Sequence, residues 1–247
     1  MAKIYVVGMG PGGEEYMTQE AAAALEASDV IAGYKVYIDL IKGRYAPLGK
    51  ELLFTGMKEE EKRCELCLER ALSGKTVSLI CSGDAGVYGM ASLMIAIAKE
   101  HPEVDIEVVA GVTAALSGSA VLGAPIGHDF CVISLSDLMT PWELIKTRLI
   151  YAAKGDFVTV IYNPSSKGRP AHFKNACDIL AEYIEPSRVC GLVHNIGRDG
   201  ESHEICSFAE LKNKDTDMFT TVFIGNMQSK VIGGRFVTPR GYKSEER

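Results

Sequence analysis

Short apolar runs alternate with amphipathic stretches along nearly the whole chain. The apolar runs have the length of strands, and the stretches between them repeat apolar residues at helical spacing. This alternation is typical of α/β layering. The predicted strands are residues 3–7, 30–32, 76–80, 106–109, 130–134, 157–161, 188–193 and 221–224. The predicted helices are residues 19–27 behind a Thr18 cap, 58–72, 87–99, 113–122, 141–153 and 171–183.

The chain length of 247 residues allows one large domain or two small ones. A run rich in small residues, 118–127, is the best candidate for the crossing between an N-terminal and a C-terminal half. We therefore predict two α/β domains, residues 1–122 and 123–247. The charged residues 243–247 at the end are expected to fray.

Charge and hydropathy exclude several classes of partner. The chain has 26 Lys and Arg against 32 Asp and Glu, a net charge of −6, so no nucleic-acid partner is expected. The longest apolar stretch, 87–98, is shorter than the roughly 20 residues of a membrane span and is predicted to be a buried helix. Because Met1-Ala2-Lys3 leads directly into an apolar strand, we predict no leader and a cytoplasmic protein without a membrane partner.

The 7 cysteines are scattered through apolar stretches and are predicted to be reduced core residues. Cys64-x-x-Cys67 is the one close pair, within a predicted helix. A metal or redox site there is the alternative, although neither a second cysteine pair nor a histidine stands nearby at metal-ligand spacing. No metal is predicted.

The glycine loop Gly8-Met9-Gly10-Pro11-Gly12-Gly13 follows the first strand and matches G-x-G-x-x-G, so a dinucleotide-dependent oxidoreductase is one hypothesis. Two details oppose it. The helix is delayed until about Thr18, which puts Glu14 and Glu15 where phosphates would sit. The acid expected after the second strand is also missing, because Asp29 precedes that strand. The alternative is that this loop is a tight turn after the strand, without a ligand.

Two further loops, residues 81–89 and 110–118, have the same arrangement of a strand followed by small residues and a helix. Their glycines permit close approach of the backbone to a ligand. Asp84 suits a ligand with an amine or hydroxyl group, and its alternative role is a helix N-cap. Three such loops at the carboxyl ends of strands outline a crevice of the kind in which open α/β sheets bind ligands.

Three motifs in this order resemble the tetrapyrrole methylase family. They are Val7-Gly8-Met9-Gly10-Pro11-Gly12, Ser82-Gly83-Asp84-x-Gly86-x-Tyr88-Gly89 and Gly111-Val112-Thr113-Ala114-Ala115. The runs 123–130, 134–138, 141–142 and 162–169 are similar to one branch, which methylates C(17) of precorrin-3B or cobalt-factor III with ring contraction in cobalamin synthesis. The likeness covers residues 3–242, and it departs from the wider family at Ala85, where many members have proline.

The resemblance implies a homodimer of two α/β domains, with S-adenosylmethionine in the cleft between them and S-adenosylhomocysteine as its product. The cofactor-binding residues that it implies are Pro11, Ser82, Gly83, Asp84, Val87, Thr113, Ala114, Asn163, Gly197, Thr220 and Thr221. Ile196 takes the place of Gly197 if the match shifts by one residue. Methylation of another ring position and a non-catalytic ligand sensor stay open as alternatives.

The chemistry of the implied reaction suggests further residues. A sulfonium methyl group is already electrophilic, so alignment supplies much of the rate, on the order of 7–11 kcal/mol, and no nucleophilic side chain is needed. Ring contraction requires proton transfer, for which His128 and Asp129 are the candidates. The alternative is that His128 caps the strand at 130–134.

A tetrapyrrole substrate with many carboxylates requires local cations on this acidic chain. Lys167, Arg169, Arg198 and Arg240 stand in loops suited to that role. Each is alternatively a solvated surface charge.

Overall fold

The chain forms two separate α/β units, divided between Ala114 and Ala115. The computed structural model describes residues 2–243, so the predicted fraying of 244–247 lies outside the described residues. The predicted fold class of two α/β domains is confirmed. The observed division lies at the start of the helix Ala114–Leu122, whereas the sequence predicts it at the end of that helix.

The first unit contains one sheet of five parallel strands in the order β3-β2-β4-β1-β5. These strands are β1 (Ala2–Gly8), β2 (Val30–Tyr34), β3 (Glu51–Thr55), β4 (Thr76–Cys81) and β5 (Val104–Val109). The helices are α1 (Gln19–Ala27), α2 (Lys35–Tyr45), α3 (Glu60–Leu72) and α4 (Ala91–Ile97), and short 3₁₀ turns cover Glu14–Tyr16, Ala46–Leu48 and Ala98–Glu100. Both faces of the central strands are buried, which explains their continuous apolar runs.

Alternate residues of β1 pack into different cores. Ile4 and Val6 join the core formed by α3 and α4, while Val7 joins the core formed by α1 and α2. The chain therefore leaves β1 toward one face of the sheet and leaves the neighbouring β4 toward the other. Such a topological switch point opens a crevice at the carboxyl ends of the two strands.

Two sequence predictions in this unit need correction. The stretch 87–98 is not one buried helix: α4 begins only at Ala91, and Ile95 is 51% exposed while Met94 is fully buried. The elements α2 and β3 were not predicted, because α2 carries Gly43 and several charges, and β3 is an edge strand whose apolar run is only three residues long.

The second unit contains a five-stranded mixed sheet in the order β10-β9-β11-β8-β7, together with a small three-stranded sheet, β12-β13-β6. Its strands are β6 (Gly123–Ala124), β7 (Phe130–Ser134), β8 (Val158–Tyr162), β9 (Val189–His194), β10 (Ser202–Ser207), β11 (Thr220–Ile224), β12 (Lys230–Ile232) and β13 (Arg235–Val237). The helices are α5 (Ala114–Leu122), α6 (Trp142–Lys154), α7 (His172–Leu180) and α8 (Phe208–Leu211).

The strand directions decide which loops share an edge of the mixed sheet. β7 and β8 pair in parallel with Ser134 opposite Tyr162, and β11 runs antiparallel to β9 with Thr220 opposite His194. β11 is also antiparallel to β8. The carboxyl ends of β7, β8 and β9 and the start of β11 therefore lie at one edge, which we call the carboxyl edge of the second unit.

Within residues 2–243, no helix has the length and hydropathy needed to cross a membrane.

Replacing Thr18 with alanine should lower the free energy of unfolding by about 1 kcal/mol. The Thr18 hydroxyl accepts a hydrogen bond of 3.0 Å from the Ala21 amide and so caps α1. Urea denaturation measures the change. Thr18→Ser keeps the hydroxyl and should unfold at nearly the wild-type midpoint; equal losses in both variants would contradict the capping role.

Candidate active site

Backbone hydrogen bonds join the first two glycine loops of the first unit. The Gly10 amide donates to the Gly83 carbonyl at 3.0 Å, and the Gly83 amide donates back to Gly10 at 2.7 Å. The Met9 amide donates to Cys81 at 2.9 Å. The loops that follow β1 and β4 are thus paired across the switch point.

The Asp84 carboxylate connects the second loop to the third. Its Oδ1 accepts hydrogen bonds from the amides of Gly86 and Val87 at 2.8 and 3.1 Å, and its Oδ2 accepts one from Gly111 at 2.9 Å. The helix N-cap alternative for Asp84 is wrong, because the cap of α4 is Met90. Asp84 is half-buried and organises the backbone of these loops.

Two glycines are required by the contact of the loops with one another. A Cβ at Gly111 would lie 2.1 Å from the Gly83 oxygen, and one at Gly8 would lie 2.7 Å from the Gly111 nitrogen. Gly83 differs, because it has a φ of +69° and a Cβ there would meet nothing closer than the Thr113 Cα at 3.5 Å. The left-handed backbone conformation, rather than crowding, therefore requires glycine at Gly83, which is itself buried.

The structure brings most of the cofactor residues predicted in this unit together. Ser82, Gly83 and Asp84 follow β4, and Thr113 is next to them. Val87 is 37% exposed and is tied to the Asp84 carboxylate. Two further residues complete the predicted set: Pro11, which directly follows the paired Gly10, and Ala114, at the start of α5.

The first glycine loop lacks the geometry of a dinucleotide fingerprint. A 3₁₀ turn, Glu14–Tyr16, follows it, and α1 begins only at Gln19. The Glu14 carboxylate forms an ion pair of 3.1 Å with Arg44. Because the 3₁₀ turn separates this loop from the N-terminus of α1, the loop does not lead directly into the helix that would hold a pyrophosphate.

In the second unit, the predicted cofactor residues Asn163, Gly197, Thr220 and Thr221 lie at the carboxyl edge. Asn163 has a φ of +51° and donates from Nδ2 to the Ser134 hydroxyl at 3.0 Å. Gly197 has a φ of +67°, and its amide donates to Glu201 at 2.7 Å. The alternative residue Ile196 is 7% exposed and faces the core, which favours Gly197 as the position open to a ligand.

The Thr220 hydroxyl is already engaged by protein groups. It lies 2.7 Å from Asp217 Oδ1, to which it donates, and 2.9 Å from His194 Nδ1. Thr220 and Thr221 are 2% and 5% exposed. Sequence reasoning missed His194 and Asp217; the only signal for His194 is its place just after a predicted strand.

His128 and Asp129 lie at the other end of β7 from the carboxyl edge. Asp129 precedes Ser134 by five residues, a distance of about 16 Å along the strand. Their side chains are 44% and 80% exposed, and the Asp129 amide donates to His128 Nδ1 at 2.9 Å. The structure thus does not bring this pair to Asn163 and Thr220, and its catalytic role stays a prediction.

The four predicted substrate cations fall into different surroundings. The Arg169 side chain is 12% exposed and donates to the carbonyls of Leu135 and Asn163 at 2.8 and 3.4 Å, so the surface-charge alternative is wrong for it. Lys167 is exposed in the same loop. Arg198 lies 5.3 Å over the Phe219 ring, also at the carboxyl edge.

Arg240 belongs to the opposite edge. It stands two residues after Thr238, whose hydroxyl lies 2.7 Å from that of Ser229, in the turn after the far end of β11. Arg240 is exposed and lies 6.0 Å over the Tyr242 ring. A role for it in binding the same substrate as Arg198 stays a prediction.

All seven cysteines are free, and Cys64 and Cys67 are fully buried in the core of the first unit. Burial raises the pKa of the Cys64 thiol to about 12 and that of the neighbouring Cys81 to about 11, so both remain protonated at neutral pH. Among residues 2–243, no group of three or more His, Cys, Asp or Glu is arranged to hold a metal ion. The interpretation of these cysteines as core residues fits their surroundings.

Comparisons with known proteins identify the family. The sequence profile described as Tetrapyrrole (Corrin/Porphyrin) Methylases matches residues 3–212. A Salmonella typhimurium protein named "Probable cobalt-factor III C(17)-methyltransferase" is 41% identical over 238 residues, covering 96% of this chain and 98% of that protein. The "Cobalt-factor III methyltransferase" of Priestia megaterium is 42% identical over 246 residues, but this chain spans only 45% of its length.

A solved structure of a methyltransferase has a similar fold over nearly the whole chain. The crystal structure of the methyltransferase CobJ superposes with a TM-score of 0.91 at 36% sequence identity, covering 97% of this chain and 100% of that one. The chain belongs to the tetrapyrrole methylase family. The prediction of a methyltransferase is confirmed, and the dinucleotide oxidoreductase hypothesis loses its support.

Replacing Gly111 with alanine should destabilise the first unit by about 1–3 kcal/mol, because the new Cβ collides with backbone that cannot move without breaking the Asp84 contact. Thermal denaturation and calorimetric titration with S-adenosylhomocysteine measure stability and binding.

Gly43→Ala is the matched control, because Gly43 lies in α2 with nothing within 4 Å of its would-be Cβ. It should be neutral or stabilising by about 0.5–1 kcal/mol. A Gly111→Ala protein as stable as wild type and with unchanged binding would contradict the packing argument.

Proposed function

We propose that the protein methylates C(17) of cobalt-factor III, or of its metal-free counterpart precorrin-3B, with ring contraction, in cobalamin biosynthesis. The observation that carries this proposal is the full-length likeness to the Salmonella relative, 41% identical over 96% of this chain. The proposed methyl donor is S-adenosylmethionine, and the proposed product is S-adenosylhomocysteine.

The residues of the first unit fit such a donor. Its charged amine and carboxylate and its ribose hydroxyls need hydrogen-bonding groups at close range, and these loops present the exposed Gly86 and Val87 and the half-buried Ser82 and Thr113. Bound there, the donor supplies a methyl group that is already activated by the positive charge on sulfur. Asp84 would act mainly by holding Gly86, Val87 and Gly111 in place.

The second unit supplies the features that fit a polyanionic macrocycle. Lys167 is exposed and Arg198 partly so, both in loops of the carboxyl edge, and an arginine fork holds a carboxylate in a bidentate fashion. Asn163, Gly197, Thr220 and Thr221 are proposed as the cofactor contacts of this unit. The predicted placement of the donor in a cleft between the domains stays a prediction.

Methylation of another ring position is the main alternative. The runs 123–137 and 162–169 oppose it, since they are similar to the branch that methylates C(17). A non-catalytic sensor would need the cofactor contacts alone and has no use for Lys167 and Arg198.

The decisive assay incubates the protein with S-adenosylmethionine and either metal-free precorrin-3B or cobalt-factor III, followed by mass spectrometry. We expect one added methyl group, at C(17) by NMR of the product, on at least one of the two substrates. Calorimetry should show tight binding of S-adenosylhomocysteine and none of NADH. Methylation at another carbon, or binding of NADH in place of S-adenosylhomocysteine, would contradict the proposal.

We also propose a cytoplasmic homodimer. The seven free cysteines, buried except for the half-buried Cys131, suit a reducing compartment. Sedimentation velocity at micromolar concentration should give a particle of twice the 26.7 kDa chain mass. A single species at the chain mass across the concentration range would overturn the dimer.

A further inference from the structure

A second histidine–carboxylate pair, Asp137 and His172, occupies the carboxyl edge of the second unit. His172 Nε2 lies 3.0 Å from Asp137 Oδ2, although 35 residues separate them in sequence. Asp137 lies between β7 and α6, and His172 is the first residue of α7. Both residues were absent from the sequence-based candidates.

The hydrogen bond to Asp137 fixes the tautomer of His172. The hydrogen bond from His172 lowers the pKa of Asp137, so this carboxyl group is ionised at neutral pH and can only accept. The proton of neutral His172 must then be on Nε2. Nδ1 is left with a lone pair, which is the state of a base ready to take up a proton.

The imidazole ring is held from two sides and is still reachable. Trp142 contacts it edge to face, with ring centroids 4.8 Å apart at an interplanar angle of 71°. The side chains of His172 and Asp137 are 20% and 34% exposed. This combination of fixed orientation and partial exposure is what a proton acceptor needs, since the reacting group must approach to hydrogen-bond distance.

The pair is part of the group of loops that contains Asn163. Arg169 Nε lies 3.9 Å from Asp137 Oδ1, and Arg169 Nη1 donates to the carbonyls of Leu135 and Asn163. The Asn163 amide group donates in turn to Ser134. Asn163, a proposed cofactor contact, is therefore bonded to Arg169, which in turn lies beside Asp137 of the His172 pair.

On the basis of the proposed function, we propose that His172, oriented by Asp137, is the base that takes up the proton released when the ring carbon is methylated. The C–S bond breaks with its electron pair left on sulfur, and the new C–C bond forms from an electron pair of the acceptor carbon. The macrocycle then carries one positive charge until a proton leaves it. His172 Nδ1 receives that proton and later returns it to solvent.

Other histidines of the described chain are less suited to this step. His128 lies at the opposite edge of the sheet, 44% exposed. His194 shares the carboxyl edge, but the Thr220 hydroxyl stands between its Nδ1 and the Asp217 carboxylate. Around His172, Asp137 is the directly bonded charge, Arg169 is the cation beside that carboxylate, and Trp142 of α6 is neutral.

The test compares His172→Gln with wild type in the methylation assay across about pH 5 to 9. Glutamine retains an N–H that can donate to Asp137 but takes up no proton. The hydrogen bond to Asp137 is therefore kept, and the base is lost. We expect kcat to fall by about 100-fold or more, with the acid limb of the pH profile removed. The KM for S-adenosylmethionine and the thermal midpoint should stay close to wild type. His203→Gln, at an exposed position of β10, is the control and should behave as wild type.

Asp137→Asn tests the orienting role of the carboxylate. A carboxylate can only accept from the ring N–H, whereas an asparagine amide can also donate to the ring, so the variant no longer enforces the Nε2–H tautomer. We expect kcat to fall, by less than in His172→Gln, while the KM for S-adenosylmethionine stays unchanged. Long-range ¹H–¹⁵N spectra of histidine-labelled wild type, with His172→Gln for assignment, should show the Nε2–H tautomer.

Several results would overturn this inference while leaving the proposed function intact. The first is that wild type methylates C(17) and His172→Gln does so with the same kcat and the same pH profile. The second is that His172→Gln changes KM alone, or that the spectra show the Nδ1–H tautomer of His172. The third is that the acid limb is lost in His194→Gln or His128→Gln instead of in His172→Gln. Wild type that binds S-adenosylhomocysteine but methylates neither substrate would overturn the proposed function itself.

Discussion

The arrangement of the first unit depends on one side chain, because the Asp84 carboxylate accepts three backbone hydrogen bonds from two loops. The Gly111 amide is half-buried, and leaving such an amide without a partner costs about 1–3 kcal/mol, so its bond to Asp84 holds the loops after β4 and β5 in register. The reciprocal bonds between Gly10 and Gly83 add the loop after β1. Only glycine fits at Gly8 and Gly111, where backbone meets backbone. The glycine and aspartate motifs of these loops thus pack the ends of three strands together.

The same residues explain why a G-x-G-x-x-G match misleads. In a dinucleotide enzyme the glycines admit a pyrophosphate at a helix N-terminus. Here Gly8 lies against Gly111, and a 3₁₀ turn with Glu14 paired to Arg44 separates the loop from α1. The exposed residues Gly86 and Val87 are in the loop after the neighbouring strand of the switch point. We propose that the ligand contacts of this unit lie in the second and third loops.

Local patterns predicted the core of the fold well, since buried strands such as β1 and β4 are continuous apolar runs with turn residues on both sides. The edge strand β3 has an apolar run of only three residues, and the edge strand β10 carries few apolar residues, so neither leaves such a pattern. For the site, the glycine motifs led to Asp84 and Thr113, because each is local in sequence. His128 and Asp129 were chosen as adjacent residues, whereas Asp137 and His172 meet only through the parallel pairing of β7 with β8 and the helix that follows. A pairing across 35 residues depends on tertiary structure, which neither spacing nor composition records.

We propose that the loops joined by Asp84 bind the methyl donor. A crystal structure of the protein soaked with S-adenosylhomocysteine is the sharpest test. We expect density for the ligand against the loops 81–89 and 110–118, beside Val87 and Thr113, with the Asp84 bonds to Gly86, Val87 and Gly111 preserved. Density confined to another part of the chain, or a ligand that displaces the Gly111 amide from Asp84, would contradict it.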